Sequence, residues 1–254
     1  MKQLKFLMVA FTLLMGISLT SCMGDNDPTV TQSAIGKVVN IYPYTFETSD
    51  GIKFVATNNI ESSTSLNMNI GDIIQFVFSY NSDEQQITET NKKINAQITI
   101  YQNMSTTTDV VIADNNGADT AYENATINEI ISSGNNGMIY FDKNTLLIPI
   151  SFLAKESLDK HRFTVVYNNS AANSQEDGVL VLYLRHLNSE EKPAETAGVY
   201  KAFDISYILG AYGKTPTKIR VYANETNKIG SNDLADAKDE LQYKEIEYKS
   251  VFEK

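Results

Sequence analysis

Apolar and polar residues alternate with a period of two along much of the chain, and that period predicts strands. Ile35, Val39 and Ile41 share one face of the first. After the turn Asp50-Gly51, Ile52, Phe54 and Ala56 alternate with Lys53 and Thr57. Asp-Gly between two such runs is a strong hairpin signal, because the tight primed turns need positive φ. Gly71-Asp72 opens Ile73-Ile74-Gln75-Phe76-Val77-Phe78, apolar on both faces as in a central strand. Ile94, Ala96, Ile98 and Ile100 alternate with Asn95, Gln97, Thr99 and Tyr101. About five short strands in one such stretch predict a small barrel of OB-like type.

The pattern breaks at Asp114 to Asn124, a run of Asn, Asp, Gly and small residues. A linker is expected at residues 113–124, between an OB-like domain at 35–112 and a second domain at 125–254. The second half is again strand-rich: Thr145 to Phe152, Phe163 to Tyr167, Val179 to Leu184, Lys218 to Ala223 and Tyr243 to Val251. Only Asp233 to Leu241 reads as helix, with Asp233 as its cap. The fold class expected is therefore all-β, an OB-like small barrel followed by an antiparallel β-sandwich.

The first residues follow a different rule. Lys2 and Lys5 precede a largely apolar, uncharged stretch, Phe6 to Leu19. That stretch is too short to span a bilayer, which needs ~20 apolar residues, but has the length of a signal-peptide core. It ends in Leu19-Thr20-Ser21-Cys22, which resembles the lipobox of bacterial lipoproteins. The resemblance implies a signal peptide over residues 1–21, cleavage before Cys22, and diacylglycerol with further acyl chains such as palmitate on that cysteine. Two or three chains hold a protein far more firmly than one, at ~0.8 kcal/mol per buried methylene. Residues 22–34 are expected to form a polar tether. Asp25 and Asp27 resemble a surface-export signal, which leaves the two faces of the outer membrane open.

Composition narrows the partners. Cys22 is the only cysteine, so the rest of the chain has neither disulfide nor thiol chemistry. The formal charge is −10, and losing Lys2 and Lys5 with the signal takes it to −12. Such a chain is repelled by nucleic acid and by anionic membrane surfaces, so contact with a membrane runs through lipid on Cys22.

The chain resembles the NigD-like lipoproteins of anaerobic gut and oral bacteria. The matching residues are Leu19 to Cys22, Gly36-Lys37-Val38-Val39-Asn40-Ile41 with Asp50-Gly51, and Gly71-Asp72 opening a strand. Ile98-Thr99-Ile100-Tyr101, Val181-Leu182-Tyr183-Leu184-Arg185-His186 and Phe203-Asp204-Ile205 continue the match. The resemblance implies an OB-like domain, a β-sandwich and a role of bacteriocin-immunity kind, and it brings no catalytic residues.

Motifs with chemical meaning are few. Gly210-Ala211-Tyr212-Gly213-Lys214-Thr215 lacks the spacing of a phosphate loop and reads as a β-turn. Asp114, Asn116 and Asp119 depart from a calcium loop. His161 and His186 are the only histidines, and zinc asks for three or four ligands, so no metal and no cofactor are expected. Tyr42, Tyr44 and Phe46 alternate around Pro43, and an extended chain there would present three rings for ligand stacking or else close the barrel core. Asp119-Thr120-Ala121 resembles an O-glycan acceptor sequence, with Thr120 as the acceptor. Symmetry about the loop Asn168 to Gly178 predicts an antiparallel hairpin with Phe163 opposite Tyr183, Val165 opposite Val181 and His161 opposite Arg185. That register brings two histidines and two arginines together, a setting for neutral imidazoles or nearby carboxylates rather than a metal cation.

No nucleophile elbow, reactive thiol or enclosed acidic pair is legible. The expected function is therefore a non-enzymatic, lipid-anchored envelope protein that binds a protein partner. A surface glycan-binding lipoprotein is the alternative, and a hydrolase, whose two carboxylates need not be close in sequence, the third.

Overall fold

The computed structural model describes residues 28–60, 67–132, 137–155, 157–170, 178–191 and 195–248. The expected signal peptide and Cys22 lie outside them. Contacts divide the chain into two compact units, one ending at Ser105 and the other running from Thr106. The expected boundary at 113–124 therefore moves upstream. Thr108–Ala113 is a strand of the second unit, since it pairs in parallel with His161–Asn168, and no local alternation reveals a partner so distant in sequence.

The first unit is the expected barrel. Strands β1 (Thr29–Ile41), β2 (Tyr44–Glu47), β3 (Lys53–Ala56), β4 (Ile73–Asn81) and β5 (Lys93–Asn103) close in the order β1-β2-β3-β5-β4. Residues 29–34 are not tether but the start of β1, paired from Thr29↔Asn81 onward with the apolar β4. The inward face of β1 also differs from the expected one. Val38 is buried, while Ile35 and Val39 are only partly covered. A register shift between Val38 and Asn40 then turns Ile41 back toward the core, which a strict period of two cannot show. Gly36 lets this strand approach: a Cβ there would lie 3.1 Å from Phe46 Cβ and from Phe76 Cε1. The core is Val38, Phe46, Phe54, Ile74, Phe76, Phe78, Ile94 and Ile98, with ring centroids of Phe54 and Phe78 at 4.1 Å and of Phe46 and Phe76 at 4.9 Å. The faces of β3, β4 and β5 are those expected.

The second unit is a sandwich. One sheet runs β14 (Gln242–Glu247), β13 (Lys218–Ala223), β11 (Val179–Asn188), β10 (His161–Asn168) and β6 (Thr108–Ala113). The β11/β13 and β10/β6 pairs are parallel and the other two antiparallel, so this sheet is mixed. The other sheet is β12 (Glu195–Asp204), β9 (Thr145–Ala154) and β7 (Glu129–Ile130), with β8 (Ile139–Asp142) on β9. Every residue of β9 is buried, as expected of a strand covered on both sides. Ile148, Ile150 and Phe152 meet Phe163, Val165, Leu180, Leu182 and Ile219 in one core.

Helix is short and lies elsewhere than expected. Asp233 does cap, its carboxylate accepting from Ala235 N at 2.9 Å, but only a three-residue 3₁₀ turn, Leu234–Asp236, follows. Among the described residues the α-helix is α1 (Ser206–Tyr212), which contains Gly210 and ends at Gly213 with φ 73°. The expected β-turn is thus a helix with a left-handed glycine end. Among the described residues no helix is long and apolar enough to cross a membrane.

Candidate functional site

The hairpin of β10 and β11 forms as expected, three residues out of the expected register. Phe163 faces His186, Val165 faces Leu184, and His161 faces Asn188. Both faces of Val179 to Leu184 are apolar, so alternation alone cannot choose between them. The core takes Leu180, Leu182 and Leu184, and an odd shift exchanges the faces. The four basic groups therefore separate: His161 and His186 turn inward as diagonal neighbours, while Arg162 and Arg185 turn outward.

The inward pair is closed. Phe163 stacks on His186 at 4.7 Å and 10°, and Phe152 lies 4.8 Å from the His161 ring. His186 Nδ1 is 3.0 Å from the Thr126 carbonyl, which can only accept, so Nδ1 carries the proton. Its Nε2 is then a bare acceptor, 2.9 Å from His161 Nδ1, which must donate. Burial pushes His186 down to about 3, so this ring is neutral throughout the physiological range. His161 Nε2 lies 3.1 Å from Glu190 Oε2, and one proton bridges them. Glu190, its side chain 3% exposed, also accepts from the backbone N–H groups of Lys155 at 2.7 Å and Ser157 at 2.9 Å. Burial draws the His161 pKa down, against the pull of the Glu190 hydrogen bond and charge. The chain Thr126–His186–His161–Glu190 thus ties three segments together with every ring nitrogen used.

The outward arginine is buried as well. Arg185 Nη1 donates to Glu123 at 3.0 Å and Nε to the Asn116 carbonyl at 2.8 Å. Asn224 donates to the same Glu123 oxygen at 2.9 Å. Burial raises the Glu123 pKa, while Arg185 and Asn224 pull it down. The segment expected as linker supplies these partners. Gly117 sits against Val166 with φ 71°, where a Cβ would lie 2.7 Å from Val166 Cγ2. Asn115 and Asp119 accept from Gly117 N and Ala121 N, so their side chains close turns. Lys201 is buried on β12, donating to Thr106 O at 2.8 Å and Thr107 Oγ1 at 3.0 Å, and burial lowers its pKa to about 8.

The aromatic row divides. Tyr42 is 87% exposed, Tyr44 is partly covered, and Phe46 belongs to the barrel core. Three rings on one accessible face do not form, because Phe46 packs between Gly36 and Phe76. Thr120 is exposed on a turn. Among the described residues no three His, Cys, Asp or Glu side chains converge as metal ligands. Sequence reasoning missed Glu190, Glu123 and Lys201. The carboxylates stand in polar stretches, and nothing local shows that a distant strand will bury them.

No family model matches the chain, and no curated protein does. Solved structures do. A candidate lipoprotein of Bacteroides fragilis is similar at 22% identity, over 87% of this chain and 99% of that one, with a TM-score of 0.65. A protein of unknown function from Bacteroides vulgatus follows at 15% identity, over 88% and 93%, with a TM-score of 0.54. A NigD-like immunity protein of Bacteroides caccae is 13% identical over 80% and 90%, with a TM-score of 0.47. The first two likenesses establish a shared fold.

Proposed function

We propose that this chain is a lipid-anchored protein of the bacterial outer membrane that acts by binding a protein partner, in a role of immunity kind, and catalyses no reaction. The observation that carries the reading is the closure of the polar groups. His161, His186 and Glu190 spend their hydrogen bonds on one another and on backbone, with Phe152 and Phe163 packed on the imidazoles. Buried Arg185 and Glu123 bond to each other, to the Asn116 carbonyl and to Asn224. Of the buried polar atoms of these five side chains, only Arg185 Nη2 is unbonded among the described residues. A general acid or base must reach a substrate proton within hydrogen-bond distance, and these groups are enclosed. The likeness to a candidate lipoprotein supports the anchor, together with Leu19 to Cys22. The glycan-binding alternative loses one support, since Phe46 is not available for stacking. Thr120 remains the proposed O-glycan acceptor, and the intact mass of the native protein tests it: a mass equal to the lipidated polypeptide rules the glycan out.

The test of function is a strain carrying the gene or lacking it, challenged with the bacteriocin of a producing relative. The expected result is survival with the wild type and death without it or with Cys22→Ser, alongside fatty-acid labelling of the wild type alone. Equal labelling of both forms contradicts the anchor, and equal survival contradicts immunity.

A further inference from the structure

The outer face of the five-stranded sheet carries a row of directly opposed residues, Val111, Val166, Tyr183, Tyr222 and Tyr243, one from each strand. Gly117 covers Val166, and beyond it the row emerges. Tyr183 and Tyr222 stack at 5.7 Å and 23°, Tyr222 and Tyr243 lie 5.2 Å apart, and the Arg220 guanidinium lies 4.9 Å from the Tyr243 ring. Tyr243 is tilted by 50° against Tyr222, and the Arg185 guanidinium lies 5.3 Å from the Tyr183 ring, so the ring faces are engaged by one another and by the two arginines. Sugars stack on ring faces; edges and hydroxyls suit a protein surface.

The row stops at β14, an edge strand. Tyr248 N donates to Thr217 O at 2.8 Å, which fixes the alternation. Gln242, Lys244 and Ile246 bond to β13, while the N–H and C=O groups of Tyr243, Glu245 and Glu247 point away from the sheet. Among the described residues nothing bonds to them. The same three residues put their side chains on the outer face. Tyr243 is 49% exposed, Glu245 is held by Arg220 at 2.5 Å, and exposed Glu247 meets no cation among the described residues. A second copy fits this edge badly. Antiparallel self-pairing that keeps the faces and uses nearly the whole of β14 sets Lys244 or Glu245 against its own copy, and like charges directly opposed are destabilising.

We infer that a partner protein adds an extended strand to β14, with basic residues opposite Glu245 and Glu247 and an aromatic or β-branched residue opposite Tyr243. Main-chain bonds then supply affinity, and the outward row supplies register and sign. The inference rests on the protein-binding reading and locates its surface. An edge merely guarded by charge against aggregation is the competing account.

The mature chain with Cys22→Ser is mixed with the peptide acetyl-Lys-Thr-Lys-Val-Tyr-Thr-amide, and amide exchange is followed by NMR. Protection of the Tyr243, Glu245 and Glu247 amides is expected, with a peptide carrying Glu for Lys giving none. Glu247→Lys, an exposed change that leaves the fold intact, should weaken the basic peptide roughly fivefold. Equal binding of both peptides, protection elsewhere or no protection overturns the inference in favour of a guarded edge. A protein partner that binds while these amides exchange freely overturns it too, yet leaves the protein-binding reading standing.

Discussion

The two units bury different chemistry. The barrel closes on hydrocarbon, and the polar residues buried there, Thr45, Gln75 and Asn103, carry no charge. The sandwich buries Glu123, His161, Arg185, His186, Lys201 and Glu225. Hydrocarbon packing is tolerant of partial substitution, because its cost scales with the volume lost. Buried ionisable groups are tolerant only as sets, because removing one leaves the desolvation of its partner uncompensated. Both units are well packed, yet they should fail in different ways.

The sharpest contrast lies between two substitutions that roughly keep volume. Arg185→Met leaves Glu123 buried without its guanidinium and should cost about 3–5 kcal/mol. Phe76→Leu in the barrel should cost less than about 1.5 kcal/mol. Urea unfolding with separate probes for each unit measures both, and equal losses would break the comparison.

Acid should come next. In the unfolded chain His186 takes a proton near its ordinary 6.5, but in the fold only near about 3. Stability is therefore whole above 6.5 and is lost as pH falls toward 3, by about 3 kcal/mol near pH 4. His161 adds to this loss, since its pKa is also lowered, while the raised Glu123 carboxyl opposes it. The barrel has no histidine. Amide exchange should accelerate across Leu147 to Ile150 before it does across Ile74 to Phe78, and simultaneous acceleration would contradict the assignment.

The smallest effect has the opposite sign. Lys201 carries a depressed pKa of about 8 against 10.5, so its charge weakens the fold below pH 8, and wild-type stability should rise from there to 10.5. Lys201→Met should stabilise the sandwich by about 1 kcal/mol at neutral pH, after loss of the bonds to Thr106 and Thr107. Thermal unfolding at neutral and alkaline pH reads this as a gap that narrows above pH 8.

The same contrast sets how much was legible in the sequence. In the barrel, alternation names Phe54, Ala56, Ile94, Ala96 and Ile98 as core directly, and fails in β1, where Val38 and not Ile35 or Val39 is buried and a register shift then brings Ile41 back to the core. In the sandwich the strands at Thr145 to Phe152, Phe163 to Tyr167, Val179 to Leu184 and Lys218 to Ala223 are visible, but β12 is not, and neither are faces and register. Val179 to Leu184 is apolar on both sides, so packing against β9 decides what periodicity leaves open. The meeting of the histidines was foreseeable from the hairpin. Glu190 and Glu123, each in a polar stretch, were not, because burial is a property of the assembled sheets.

The central claim is that the histidine pair is a closed structural relay. Nitrogen-15 NMR of histidine-labelled protein, followed from about pH 8 to about pH 5, addresses it directly. The account predicts His186 protonated at Nδ1 and bare at Nε2 across that range, unmoved by added zinc. A His186 ring that titrates near 6.5, or imidazole shifts that follow zinc, would contradict it.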